Sequence, residues 1–297
     1  MFTVSTTNWP VTEVKGFTGA CQISDMEPFP YMPLDAKGWR LAMGLRPLDL
    51  ATWLEIDEHY VEELALKDTL LKNSFDVVVA TNPEGDDASR ELLADVRGFL
   101  DTYHEGIAPS VTEGEHPIVE ASRLVQEDLC VLVKSDAWRL RAACVCFPSR
   151  WNLATKIGTT LDDIHSPVPL YDQVLARPTN AFFDRLTPER SFWRLNWTLL
   201  DSPVLHQPFG ARASPSGGLA DWFFRVERQT LRQLPKTMAI VFTIRTYVTS
   251  AASLRERDET FVPALVQAME SAPSSVQTYK GWMGVAQLLR DAISRNE

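Results

Sequence analysis

The sequence lacks Gly-x-Gly-x-x-Gly and Gly-x-x-x-x-Gly-Lys-Ser/Thr, so neither a dinucleotide fold nor a loop that cradles nucleotide phosphates is signalled. It also lacks the Gly-x-Ser-x-Gly elbow and His-Glu-x-x-His. Redox chemistry here would need a cofactor or a partner that those motifs do not encode. The cysteines Cys21, Cys130, Cys144 and Cys146 form no Cys-x-x-Cys pair, and no Cys/His spacing of the zinc type occurs. Cys144 and Cys146, two apart in an apolar run, are expected on one strand face as small hydrophobes. No apolar run approaches the roughly 20 residues of a membrane-spanning helix. The first ten residues lack the basic-then-apolar order of a secretory signal, so a cytoplasmic location is the default expectation. Basic side chains are in the minority, 29 against 39 acidic ones. The resulting charge of −10 argues against nucleic acid and against an anionic membrane surface as partners.

What is present suits a globular protein. The 297 residues, 45% hydrophobic and 23% charged, suffice for a substantial core. Residues 1–35 read as an irregular arm and residues 36–125 as mostly helical. A helix is expected over 47–73, where Trp53, Ile56, Tyr60, Leu64 and Leu71 follow a helical stripe, and another over 88–103. Residues 126–250 carry the expected sheet. Strands over 129–134 and 138–147 flank Ser135-Asp136 as a hairpin, and further strands fall at 191–200, 222–229 and 238–249. Helices are expected between them at 154–164 and 171–186, with a connector over 211–218. Residues 251–297 read as two helices, 256–269 and 276–294. Without strand–helix–strand alternation, the order predicts an α+β fold: one domain with an antiparallel sheet, helices packed around it and helical extensions.

Among five histidines, His165 stands apart. It follows Ile157, Leu161 and Ile164 at helical spacing, so its imidazole belongs to an apolar helix face. The chain then breaks at Ser166-Pro167-Val168-Pro169, placing His165 at a helix end. An axial haem ligand fits that position, its second ring nitrogen donating to a free carbonyl. A core histidine bonded to the same carbonyl fits it too. His59, His104 and His116 read as surface residues, and His206 lies in a connector. In the strand from Trp222, alternation turns Phe223, Arg225, Glu227 and Gln229 one way and Phe224, Val226 and Arg228 the other. This set is either an ion-pair network, Glu227 with Arg225 or Arg228, or an anion site of guanidinium forks. In Phe192–Trp197, Arg194 and Asn196 share a face among aromatics that suit either a core or a flat cofactor.

Three stretches taken together resemble one family. CFPSRWNLATKIGTTLDDIHSPVPLY (Cys146 to Tyr171), RVERQTLRQLPKTMAIVFTIRTYV (Arg225 to Val248) and MGLRPLDLATWLEID (Met43 to Asp57) are similar to the haem-dependent oxidative N-demethylase alpha-subunit-like family. The resemblance implies a PAS-like antiparallel sheet holding haem b. It implies dioxygen-dependent removal of a methyl group from a small secondary amine such as dimethylamine, with release of formaldehyde. It further implies electrons from NADPH, delivered by a separate reductase subunit carrying flavin and iron–sulfur centres. On that reading His165 is the iron ligand, and Lys156, Arg225, Arg228 and Arg232 are candidates for the haem propionates. Glu227 is the candidate catalytic carboxylate, which either orients an arginine or holds an ammonium substrate. A haem-based gas or redox sensor, or a non-catalytic scaffold of the same fold, remains the alternative, because fold does not dictate function.

Overall fold

Side chains that alternate along extended chain need two different environments, and the strands here find them on the two faces of one sheet. The computed structural model describes residues 29–34, 38–107, 114–209 and 217–295. Its strands are β1 (Arg46–Pro47), β2 (Val79–Thr81), β3 (Asp128–Lys134), β4 (Trp138–Cys144), β5 (Phe192–Leu200), β6 (Phe223–Gln233) and β7 (Ile240–Ser250). All seven join one antiparallel sheet in the order β1-β5-β6-β7-β3-β4-β2. β3 and β4 form the expected hairpin, and β5, β6 and β7 a meander that closes on β3. β1 and β2 lie outside the expected strands, being too short to display alternation.

The helices are α1 (Tyr60–Asn73), α2 (Phe75–Val78), α3 (Asp86–Tyr103), α4 (Pro117–Ser122), α5 (Leu161–His165), α6 (Ala176–Phe183), α7 (Ala251–Arg257), α8 (Phe261–Ser271), α9 (Ser274–Lys280) and α10 (Val285–Arg295). Several differ from expectation for local reasons. The helix expected over 47–73 is a 3-10 turn, Leu50–Thr52, followed by α1. α1 buries Glu63 and Lys67 beside Leu70 and Leu71, so polar side chains occupy part of its inner face. The helix expected over 154–164 is broken at Gly158, which takes a left-handed φ of 77° that glycine adopts without strain. What remains is a 3-10 turn at Leu153–Thr155 and the short α5. A π-helical turn, Tyr171–Leu175, precedes α6. The two expected C-terminal helices are four shorter ones. Most of the arm expected over 1–35 and residues 211–216 of the connector expected over 211–218 lie outside the described residues.

Each sheet face has its own cover. On one, Leu129, Val131, Ala142 and Val241 pack with Leu92, Val96, Ile118 and Val119 of α3 and α4. Farther along the same face, Leu199, Phe224 and Val226 pack with Leu254, Phe261, Leu265 and Leu289 of the C-terminal helices. On the other face, Cys130, Leu132, Leu140, Leu231 and Ile240 pack with Leu153, Leu161, Phe183 and Leu186, all from the segment 150–186. Each large apolar side chain so buried contributes about 1.5–3 kcal/mol. That last contact delivers the segment carrying His165 to the sheet.

Candidate functional site

Strand register decides which polar groups can meet His165. Arg194 lies opposite Gln229, Asn196 opposite Glu227, and Thr198 opposite Arg225 across β5 and β6. Glu227 in turn faces Thr246 on β7. Directly opposed residues share a face, here the face of Leu231 and Ile240 that segment 150–186 partly covers. Beyond that cover, Phe192, Arg194, Asn196, Thr198 and Gln229 are only partly buried, so a polar strip of sheet stays open beside the segment.

α5 begins with a capping box in which the Thr160 hydroxyl accepts from Asp163 N at 3.1 Å and Asp163 Oδ2 accepts from Thr160 N at 3.3 Å. At the other end, His165 Nδ1 lies 2.8 Å from the Leu161 carbonyl oxygen. A carbonyl only accepts, so Nδ1 carries the hydrogen and Nε2 keeps its lone pair. Nε2 makes no hydrogen bond among the described residues. The ring stacks on Tyr171, whose hydroxyl donates to Asp162 Oδ1 at 3.1 Å. Leu170, in the left-handed region at φ 66°, turns the chain that brings Tyr171 back over the imidazole. Burial holds the His165 pKa below its usual 6.5, opposed by the Leu161 hydrogen bond and reinforced by the charges of Arg194 and Lys156. Lys156, itself lowered by burial, donates from Nζ to the Ile164 carbonyl at 2.9 Å and closes the helix end.

On the sheet, Glu227 is the hub. Arg225 Nε donates to its Oε1 at 3.1 Å, while Asn196 and Gln229 donate to Oε2 at 3.2 and 3.1 Å. A carboxylate offers about four lone-pair positions, so one remains on Oε1. Arg225 is fully buried and also reaches the carbonyls of Phe147 and Leu205 and the Thr246 hydroxyl, which engages most of its donors. Arg194 contrasts with it. Its Nε is shut off from solvent without a partner, and its guanidinium feels Glu227 only at longer range.

His165 and Lys156, on the covering segment, and Arg225 and Glu227, on β6, thus belong to the same sheet face, where the charge of Arg194 acts on His165 and that of Glu227 on Arg194. Arg228 and Arg232 do not join them, because alternation along β6 turns both to the opposite face. Arg228 donates to the carbonyls of Trp53 and Thr52 at 3.1 and 2.5 Å and lies 3.4 Å from Glu55. Arg232 pairs with Asp95 at 3.0 Å and covers the Trp53 ring at 4.3 Å. Beside them Arg245 pairs with Asp57 and Glu63, and Tyr247 donates to Glu55. This network ties the Met43–Asp57 stretch to β6 and β7. Arg194 and Tyr171 were absent from the expected set. The alternation of Phe192, Arg194 and Asn196 could have found Arg194; Tyr171 had no local signal.

The other histidines have different surroundings, although His206 shares with His165 a carbonyl-bound Nδ1 and an Nε2 without a hydrogen bond among the described residues. His206 Nδ1 donates to the Cys146 carbonyl at 2.7 Å. His116 caps α4 and lies 3.1 Å from Asp86. His59 is enclosed rather than solvated, its Nε2 buried without a hydrogen bond. Among the described residues no group of three or more His, Cys, Asp or Glu could hold a bare metal ion. A lone imidazole with a free Nε2 matches instead the ligand demand of iron already held by a porphyrin.

Fold and site together define an antiparallel α+β protein in which the His165 imidazole, with Nε2 free, lies on a segment that packs on a partly polar sheet face. Residues 44–289 match the family described as haem-dependent oxidative N-demethylase, alpha subunit-like, and the chain belongs to that family. The matched range takes in both the Cys146–Tyr171 and the Arg225–Val248 stretches, and the family's name indicates haem dependence. No helix among the described residues is long and apolar enough to cross a membrane.

Proposed function

We propose that this chain is a haem-binding subunit, with a PAS-like sheet as its platform, that demethylates a small secondary amine such as dimethylamine. The supporting observation is the His165 imidazole: neutral, fixed in one tautomer, and with Nε2 unengaged beside the polar strip of β5 and β6. Haem b, when bound, supplies the redox centre at which dioxygen oxidises the methyl group. The overall change takes the amine, dioxygen, two electrons and two protons to the demethylated amine, formaldehyde and water. The electrons come from NADPH through a partner reductase with flavin and iron–sulfur centres, in keeping with the missing nucleotide motifs of this chain.

The residues have separable tasks. His165 offers Nε2 to the iron, with Leu161 fixing its tautomer and Tyr171 its orientation, as outer partners of metal-bound histidines do. Lys156 has two further N–H donors for a propionate after closing α5. Arg225 holds Glu227 and has little capacity left for a cofactor carboxylate. Glu227 uses its remaining lone pair to accept an N–H of the amine and so orient the methyl group. Phe182 and Phe192, in edge contact at 5.1 Å, limit water at the covered end. Arg228 and Arg232 hold the 43–57 stretch to the sheet and take no part.

The test is an absorption spectrum of the purified chain titrated with hemin. Wild type and His206→Ala should give a Soret band at one equivalent, and His165→Ala should lose or displace it. An unchanged band in His165→Ala overturns the ligand assignment, and a wild-type chain that takes up no hemin overturns the cofactor. Formaldehyde formed from dimethylamine, NADPH, dioxygen and the reductase separates an enzyme from a haem sensor.

A further inference from the structure

Arginines recur along this sheet, and those on β4, β6 and β7 all have a carboxylate within 4 Å. Arg139 has Asp136, Arg141 has Glu84, Arg225 has Glu227, Arg228 has Glu55, Arg232 has Asp95, and Arg245 has Asp57 and Glu63. Arg194 on β5 breaks the pattern. Its Nε is closed to solvent and unpartnered, and none of its nitrogens forms a hydrogen bond or ion pair among the described residues. Arg232 and Arg245 also bury an unpartnered Nε, but each has an acid on its fork, whereas the partly buried fork of Arg194 has none within 4 Å. A guanidinium drawn into a sheet face without a partner costs free energy, and folds rarely retain one without a use. The one carboxylate near it, Glu227, already answers Arg225. Register places Arg194 on the strip that faces the His165 segment, between Phe192 and Asn196.

We propose that Arg194 is the anion-binding residue of this site, its guanidinium fork taking a carboxylate or small anion held between β5 and the His165 segment. The role rests on the haem reading. Planar, bidentate donation suits such ligands better than an ammonium does. Two sources share this chemistry: a carboxylate of the porphyrin, or a free small anion bound beside the iron.

Arg194→Gln, with Arg194→Lys as the charge-retaining control, tests the proposal. In hemin-loaded ferric protein, azide binding about tenfold weaker in Arg194→Gln, with imidazole binding unchanged, supports a small free anion. Hemin binding about tenfold weaker in Arg194→Gln, the difference vanishing with hemin dimethyl ester, supports a porphyrin carboxylate. Arg194→Lys should recover part of either loss. Arg194→Gln equal to wild type in both assays overturns the proposal. The hemin-free proteins give an independent readout: without a partner to lose, Arg194→Gln should melt no lower than wild type. A clearly lower melting temperature makes Arg194 structural and also overturns the proposal. If wild type binds no hemin, the haem reading falls, and thermal stabilisation of the hemin-free chain by azide or propionate decides. Stabilisation in wild type and not in Arg194→Gln sustains the anion site; its absence in both removes it.

Discussion

His165 and Tyr171 lie face to face, their ring centres 4.8 Å apart and their planes 14° from parallel. The stack restrains the tilt of the imidazole, and the Nδ1 bond to Leu161 restrains its rotation. Two constraints on one ring leave Nε2 a single direction. The first prediction follows from that pairing. Tyr171→Ala should release hemin about tenfold faster than wild type, since outer partners of metal-binding histidines are worth about that much. Tyr171→Phe, which keeps the ring and loses only the hydroxyl's bonds with Asp162 and Thr179, should stay close to wild type. Transfer of hemin to excess apomyoglobin measures both, and equal rates for all three proteins would remove the stack from the account.

The capping box of α5 holds the helix on which His165 sits. Thr160→Ala should cost about 1 kcal/mol in urea unfolding, the usual worth of such a cap. Because α5 is so short, the same change should also broaden the Soret band of the hemin-loaded chain. A stability loss with an untouched spectrum would show that Leu161 and Tyr171 suffice to place the ring.

Across the sheet, Arg245 neutralises Asp57 and Glu63 at 2.5 and 2.8 Å. Arg245→Met leaves these two carboxylates without their cation and should destabilise the fold by about 3–5 kcal/mol. The hemin spectrum of the surviving folded fraction should be unaltered, because β7 stands between this network and the His165 face. Urea titration alongside the Soret band separates the two effects.

Glu127 is fully buried near this network, and burial pushes its pKa up to about 7, against the attraction of Arg245. A carboxyl whose pKa is raised by folding favours the folded state when protonated. Its contribution is therefore complete below the usual 4.5 and is lost as pH rises through about 7. Asp128, raised by burial to about 6, acts in the same sense. Glu127→Gln should gain stability relative to wild type as pH rises from 5 to 8, by on the order of 3 kcal/mol. Parallel melting curves across that pH range, with no convergence or divergence, would refute the assignment.

Some of this structure was open to inspection in the primary sequence. Alternation from Phe223 to Gln229 separates Arg225 and Glu227 from Arg228 without any knowledge of the fold, because side chains on a strand alternate by geometry alone. The hairpin at Ser135-Asp136 and the apolar setting of His165 were equally local. Gly158 followed by Thr160 and Asp163 carried both a helix stop and a capping box, so the break ahead of α5 was written there although the apolar spacing suggested a continuous helix. β1 and β2 had no such signature. Two or three residues show no period, and they become strands only because β5 and β4 offer them free edges.

The residues alone determined which side chains share a strand face, where α5 starts and stops, and that one histidine ends an apolar helix turn. Only the tertiary structure decided which face of β5 and β6 receives that histidine, that Arg228 and Arg232 serve the opposite face, and that Arg194 alone among the arginines of β4 to β7 has no carboxylate within 4 Å. Periodicity is a property of neighbours in the chain, whereas burial against a particular surface depends on residues far apart in sequence. The hydrophobic force that joins them has no direction of its own.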